Sequence, residues 1–221
     1  MTEKRVINLA MTGASGAPYG LRLLEELVAA GCHVRFMVSR AAQVVISTET
    51  DLRLPGTPDA MQRYLQARYS AAPGQIQAFG REDWFAPPAS GSGHRAPLVV
   101  CPCSTGTLSA LANGASDNLI ERAGDVALKE KRQLILVPRE SPYSEVHLDN
   151  MLRLTRMGVT IMPASPGFYH EPASVAELVN FVVARLLDHL GIEQSLVVRW
   201  GETRAAMKSG SSKGEGPDDG D

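Results

Sequence analysis

The sequence predicts an α/β fold, one parallel sheet with helices on both faces. Three observations carry this reading. Short runs such as "LVVCP" (98–102) and "LILVP" (134–138) are apolar at every position, as strands covered on both faces must be. Stretches with apolar residues at helical spacing separate them, and such alternation marks crossover connections between parallel strands. The first run leads into "MTGASGAPYG" (11–20), a turn dense in small residues where a strand gives way to a helix.

Residues 5–11 are the first strand, apolar and partly β-branched. From Leu21 the apolar residues Leu24, Leu27 and Val28 recur on one helical face, and Gly31 supplies the stop. "HVRFMVS" (33–39) is the second strand and "AAQVVISTE" (41–49) the second helix. Residues 50–97 are less regular, with a helix at 58–69, a short apolar patch at 76–79 and the loop "PPASGSGHRAP" (87–97). After the strand at 98–102, a long helical stretch, breakable near Gly114, runs to about Arg132. The strand at 134–138, the helical "SEVHLDNMLRLTRMG", the strand "VTIMP" (159–163) and the helix "SVAELVNFVVARLLDHLG" follow. These elements make one domain over 1–204. The tail 205–221, ending "KSGSSKGEGPDDGD", is small, polar and charged, and is expected to be disordered.

A chain of 221 residues can bury a full core without metals or disulfides. Its net charge of −2 leaves no electrostatic footprint for nucleic acid. No stretch approaches the roughly 20 apolar residues that span a bilayer, and the N-terminus reads as a first strand rather than a signal peptide. Cys32, Cys101 and Cys103 are odd in number and lack metal-type spacing, so a reduced, cytoplasmic protein is expected.

In an open α/β sheet, ligands bind beyond the carboxyl ends of the strands, where the 11–20 turn lies. Gly13 and Gly16 let the backbone approach a ligand, and Pro18 suits a first helical turn. The free N–H groups of that turn make an anion site, and Ser15 adds a hydroxyl. The spacing Gly-x-x-Gly-x-x-x-Gly fits neither the dinucleotide fingerprint nor the P-loop, and a tight turn of small residues is the alternative. A second such loop follows a buried strand, with Ser104, Thr105, Gly106 and Thr107; ordinary N-capping is its alternative. Two such loops suit a ligand with two polar ends, such as a flavin mononucleotide. A third, "VPRESPY", puts Arg139 and Glu140 past a buried strand at the same edge, where an ion pair is the alternative.

Together "MTGASGAPYGLRLLEEL", "VSRAAQ", "TET", "APPASGS", "VVCPCSTGTLSALANGASDNLIERAGDVALKEKR", "LILVPRESPYS" and "PASPGFYHEP" resemble the UbiX-type flavin prenyltransferases. The resemblance runs from about Val6 to Trp200. It implies a flavodoxin-like, Rossmann-like three-layer fold and a homo-oligomer with its site at subunit interfaces. It implies transfer of a dimethylallyl group from dimethylallyl monophosphate to reduced FMN. The product, prenylated FMN, would serve a UbiD-type decarboxylase, often in ubiquinone synthesis. Carried over by motif, Gly13, Ala14, Ser15, Ser39, Ser104, Thr105, Gly106, Thr107 and Arg139 would contact FMN. Trp84 and Ser90 would lie near the flavin ring. Tyr169 and Arg185 would bind the prenyl phosphate, and Arg122, Lys129 and Glu140 would complete that pocket from a neighbouring subunit. Glu49 would lie near the reacting end.

Those residue types suit the chemistry. A leaving phosphate needs cations and donors; Arg122 and Lys129, seven apart, share one helix face. Arg185 sits among apolar residues, so it is expected to meet an anion, either the prenyl phosphate or a carboxylate in a buried ion pair. Aromatic faces stabilise cationic carbon; Trp84, Trp200, Tyr169 and Phe168 are candidates, with core packing as the alternative. No aspartate-rich helix suggests magnesium, so ionisation by Arg, Lys and Ser donors without metal is expected. Glu140 or the departing phosphate would take the released proton, while Glu49 is alternatively a helix-end charge. The rival readings are an FMN-dependent cysteine-decarboxylase-like enzyme and a non-catalytic FMN carrier.

Overall fold

Side chains alternate across each long strand, and both sides are apolar. In β1 (Val6–Met11), Ile7, Leu9 and Met11 enter one core while Ala10 enters the other. β4 (Leu98–Cys103) divides likewise, Val99 and Cys101 against Leu98, Val100 and Cys103. β5 (Leu134–Pro138) sends Ile135 and Val137 one way and Leu134 and Leu136 the other. Two cores, one on each face, are why these segments read as unbroken apolar runs.

The computed structural model describes residues 5–198. The tail 205–221 and Trp200 lie outside the described residues. β2 (His33–Val38), β3 (Ile76–Phe79) and β6 (Thr160–Ile161) complete a parallel six-stranded sheet in the order β3-β2-β1-β4-β5-β6. Without the edge strand β3 the order is the flavodoxin one, with β1 and β4 adjoining at its switch point. Helices α1 (Ala17–Ala29), α2 (Arg40–Glu49), α3 (Pro58–Arg68) and α7 (Val175–Leu190) cover one core; α4 (Thr105–Asn113), α5 (Leu119–Lys129) and α6 (Glu145–Arg156) cover the other.

Several boundaries differ from the sequence reading by a residue or more, while Pro18 in a first helical turn and a break near Gly114 are as expected. The helix read from Leu21 begins at Ala17, with Pro18 in its first turn. The stretch read towards Arg132 is two helices. Gly114, left-handed at φ 73°, ends α4, and the Asn118 side chain caps α5. The strand read over 159–163 pairs only at Thr160 and Ile161. Close packing at the switch point depends on Gly20: a Cβ there would lie 2.2 Å from the Cys101 carbonyl oxygen. Cys101 and Cys103 are fully buried, and burial pushes both thiols up, that of Cys103 to about 12. They are core filling rather than a poised redox pair.

Candidate active site

The turns leaving β1, β2, β3 and β4 converge at one edge of the sheet and enclose a cleft of about 440 Å³, within the range of small-molecule sites. Gly13, Ser39, Ser104, Gly106 and Thr107 all line it. The two serines also cap helices. Ser39 Oγ accepts from the Ala42 N–H at 3.0 Å, and Ser104 Oγ accepts from the Thr107 N–H at 3.3 Å. Capping and cleft lining are thus one arrangement, since a helix start aimed at the cleft needs a hydroxyl at its first position. Met37 and Phe79 supply apolar wall, and a Cβ at Gly106 would meet nothing within 4 Å. Apolar walls, hydroxyls and open backbone at a helix start fit a flavin with a phosphate tail. Thr105 and Ala14 lie off the lining, Ala14 being buried in its turn.

Sequence reasoning missed the opposite wall, Gly80, Arg81 and the start of α5. A signal was present: Asn118 accepts from the N–H groups of Ile120 and Glu121, both at 3.1 Å, so "DNLIE" is a capped helix start. The sequence reading placed a break near Gly114 but did not mark Asn118 as the start of the next helix, whose terminus faces the cleft.

The anion site expected at the start of α1 already holds an anion, the protein's own. Glu49, last residue of α2, accepts from the N–H of Gly16 at 2.9 Å and of Ala17 at 2.8 Å. Gly16 has the left-handed φ of 115° that aims both groups at the carboxylate, and its own position offers no side-chain cap. Burial raises the Glu49 pKa, but the Ser15 hydroxyl, these two N–H groups and Arg139 outweigh it and hold the carboxyl below the usual range. Arg139 Nε also donates to the Ser15 carbonyl at 3.2 Å. Ser15, Glu49 and Arg139 thus form one cluster, and the N–H groups predicted to be free are not. The carboxylate of Glu140, next in the chain, accepts from the Ser141 N–H at 3.1 Å.

Arg122 and Lys129 both meet the segment that carries Ser90. Arg122 Nε donates to the Ala89 carbonyl at 3.2 Å and pairs with Asp125 at 2.7 Å. Lys129 pairs with Glu130, and a Cβ on Gly91 would sit 2.7 Å from Lys129 Nζ. Arg132, read in the sequence only as the end of a helical stretch, adds donors to the carbonyls of Ser90, Gly91 and Gly93 at 3.4, 2.5 and 3.4 Å. Trp84 is half exposed beside Phe85, whose side chain is entirely exposed.

Tyr169 and Arg185 line a separate cleft of about 640 Å³. Arg185 is not buried as its apolar neighbours suggested. It lies on the outer face of α7, 54% exposed, 3.4 Å from Asp188. The helix is apolar on the side facing the core, and the intervening polar positions point outward. Phe181 lies edge-on to Tyr169, with ring centroids 5.5 Å apart.

Residues 1–187 match the Flavoprotein family. The flavin prenyltransferase UbiX of Pseudomonas aeruginosa is 62% identical over 202 residues, covering 91% of this chain and 97% of that protein. This chain belongs to the UbiX flavin prenyltransferases. Among solved UbiX structures, AnUbiX (PadA1) in complex with FMN and dimethylallyl pyrophosphate is 36% identical. It covers 90% of this chain and 98% of that one, with a TM-score of 0.80. A dodecameric FMN-dependent UbiX-like decarboxylase from Escherichia coli O157:H7 is 38% identical. It covers 88% of this chain and 98% of that one, with a TM-score of 0.78.

Proposed function

We propose that this chain joins the dimethylallyl group of dimethylallyl monophosphate to reduced FMN, and that the prenylated product serves a UbiD-type decarboxylase, in ubiquinone synthesis. Reduced FMN supplies the nucleophilic ring that accepts the allyl carbon. The chain's own residues bind, orient and neutralise. Gly13, Ser39 and the Ser104–Thr107 turn hold the flavin; Arg139 fixes the turn at Ser15. The C–O bond to phosphate breaks as negative charge develops on the leaving phosphate and positive charge on the allyl carbon; Arg122, Lys129 and Arg185 with the Tyr169 hydroxyl neutralise the former. The proton released on alkylation goes to the departing phosphate or to Glu140.

One observation carries this reading: Lys129 lies against Gly91, beside Ser90, so a phosphate-binding ammonium adjoins the segment assigned to the flavin ring. A carrier of FMN has no use for that second cationic set. Tyr169 and Arg185 line a different cleft from Gly13 and Ser104, which supports a site completed between copies of the chain. Exposed Phe85, Val146, Leu148 and Leu152 supply apolar surface for such an assembly. Three unpaired, buried cysteines suit a cytoplasmic location. No helix among the described residues is long and apolar enough to cross a membrane.

Phosphate release tests the reading. Anaerobic protein with reduced FMN and dimethylallyl monophosphate is expected to liberate inorganic phosphate in step with flavin consumed. Release independent of flavin, or none, contradicts it.

A further inference from the structure

Thr12 is buried, 2% exposed, and lies outside the residues assigned above. Its hydroxyl accepts from the Ser104 N–H at 2.7 Å and donates to the Pro102 carbonyl at 3.0 Å. Its own N–H reaches the same carbonyl at 3.1 Å. One hydroxyl therefore joins the turn after β1 to the turn after β4, the two turns that meet at the switch point. Both ends lead into the cleft. On one side Gly13 follows directly, and the Thr12 carbonyl accepts from the Ala14 N–H at 2.9 Å, next to Ser15. On the other, Ser104 caps α4 and its Oγ lies 3.0 Å from Thr107 Oγ1.

We propose that Thr12 is a positioning residue of the flavin site, fixing the distance between the Gly13–Ser15 turn and the Ser104–Thr107 turn. This rests on the assignment of the cleft to FMN. The Thr12 side chain and its bond to Pro102 are buried and its bond from Ser104 is partly so, so losing the hydroxyl leaves polar groups with little access to water. Without an acceptor at position 12, the Ser104 N–H is satisfied only if the start of α4 moves, and flavin binding must reverse that movement. A residue that merely filled space would be replaced by valine, which has the same shape, with no effect on the ligand.

FMN titration of apo-protein, followed by flavin fluorescence, tests this with Thr12→Val and Thr12→Ser. Thr12→Val is expected to weaken FMN binding roughly tenfold, and Thr12→Ser, which keeps the hydroxyl, to stay within about twofold of the parent. At saturating FMN, Thr12→Val is expected to lower kcat while KM for dimethylallyl monophosphate holds. If Thr12→Val does not fold, Thr12→Cys, a weak donor and acceptor of similar size, takes its place with the same expectation. Wild-type affinity in the valine or cysteine variant, with only the melting temperature lowered, overturns the proposal. Equal loss in the serine variant overturns it too. Failure of the unaltered protein to bind FMN instead refutes the flavin assignment, and this proposal with it.

Discussion

Glu49 Oε2 lies 2.8 Å from the Ala17 nitrogen, so the end of α2 caps the start of α1 across 32 positions of sequence. The contact fixes the glycine-rich turn with a carboxylate the chain carries itself. The starts of α4 and α5, by contrast, line the cleft. Of the two readings of Glu49, the helix-end charge is the one seen: it closes α2 and accepts from the start of α1.

The depressed Glu49 pKa has a defined consequence for stability. The unfolded chain takes up a proton before the folded one, so the contribution is full above the ordinary value near pH 4.3 and disappears as pH falls through the lower folded value. Because Glu49 is exposed and screened, Glu49→Gln is expected to cost no more than about 1 kcal/mol at pH 7. Urea unfolding of both proteins from pH 7 to pH 3 checks this: the difference between them shrinks in the acid range. A difference that grows on acidification contradicts the assignment.

Gly91→Ala separates the two ligands. The new Cβ would lie 2.6 Å from Glu130 Oε1 and 2.7 Å from Lys129 Nζ, both at the ends of flexible side chains. These yield easily, so stability is expected to change by less than about 0.5 kcal/mol. Lys129 is displaced, however, and KM for dimethylallyl monophosphate is expected to rise several-fold while FMN affinity stays the same. Steady-state kinetics and a flavin titration on one preparation decide it.

Arg185→Ala removes a half-exposed guanidinium 3.4 Å from Asp188, so folding is expected to change by less than about 1 kcal/mol. Its effect falls on the prenyl phosphate, with kcat/KM lowered at least tenfold and FMN binding unaltered. Lys129→Ala follows the same pattern. Equal loss of both ligands in either variant contradicts the division of the site.

The strands were legible because each had to be apolar on both faces; Leu98 and Val99 enter different cores, yet both are hydrophobic. Gly13 and Ser104 were legible as turn residues after such strands, whereas Ser39, read as the end of the second strand, caps α2. Local patterns could not reveal long-range contacts. Nothing in "STET" announces that Glu49 reaches Gly16, and nothing near Arg132 announces that it holds the carbonyls of the 90–93 loop. Arg185 was misplaced for a related reason: apolar neighbours in sequence do not imply apolar neighbours in space when the helix turns its polar side outward. Thr12 passed unnoticed between two glycine-rich turn signals because a lone threonine at a strand end has no periodicity to mark it.

Mass spectrometry of the flavin after anaerobic incubation with dimethylallyl monophosphate and reduced FMN tests the central claim most directly. A flavin heavier by one C5H8 unit, formed only when protein and both substrates are present, is the predicted result. A flavin of unchanged mass, recovered from protein that has bound both molecules, would contradict it.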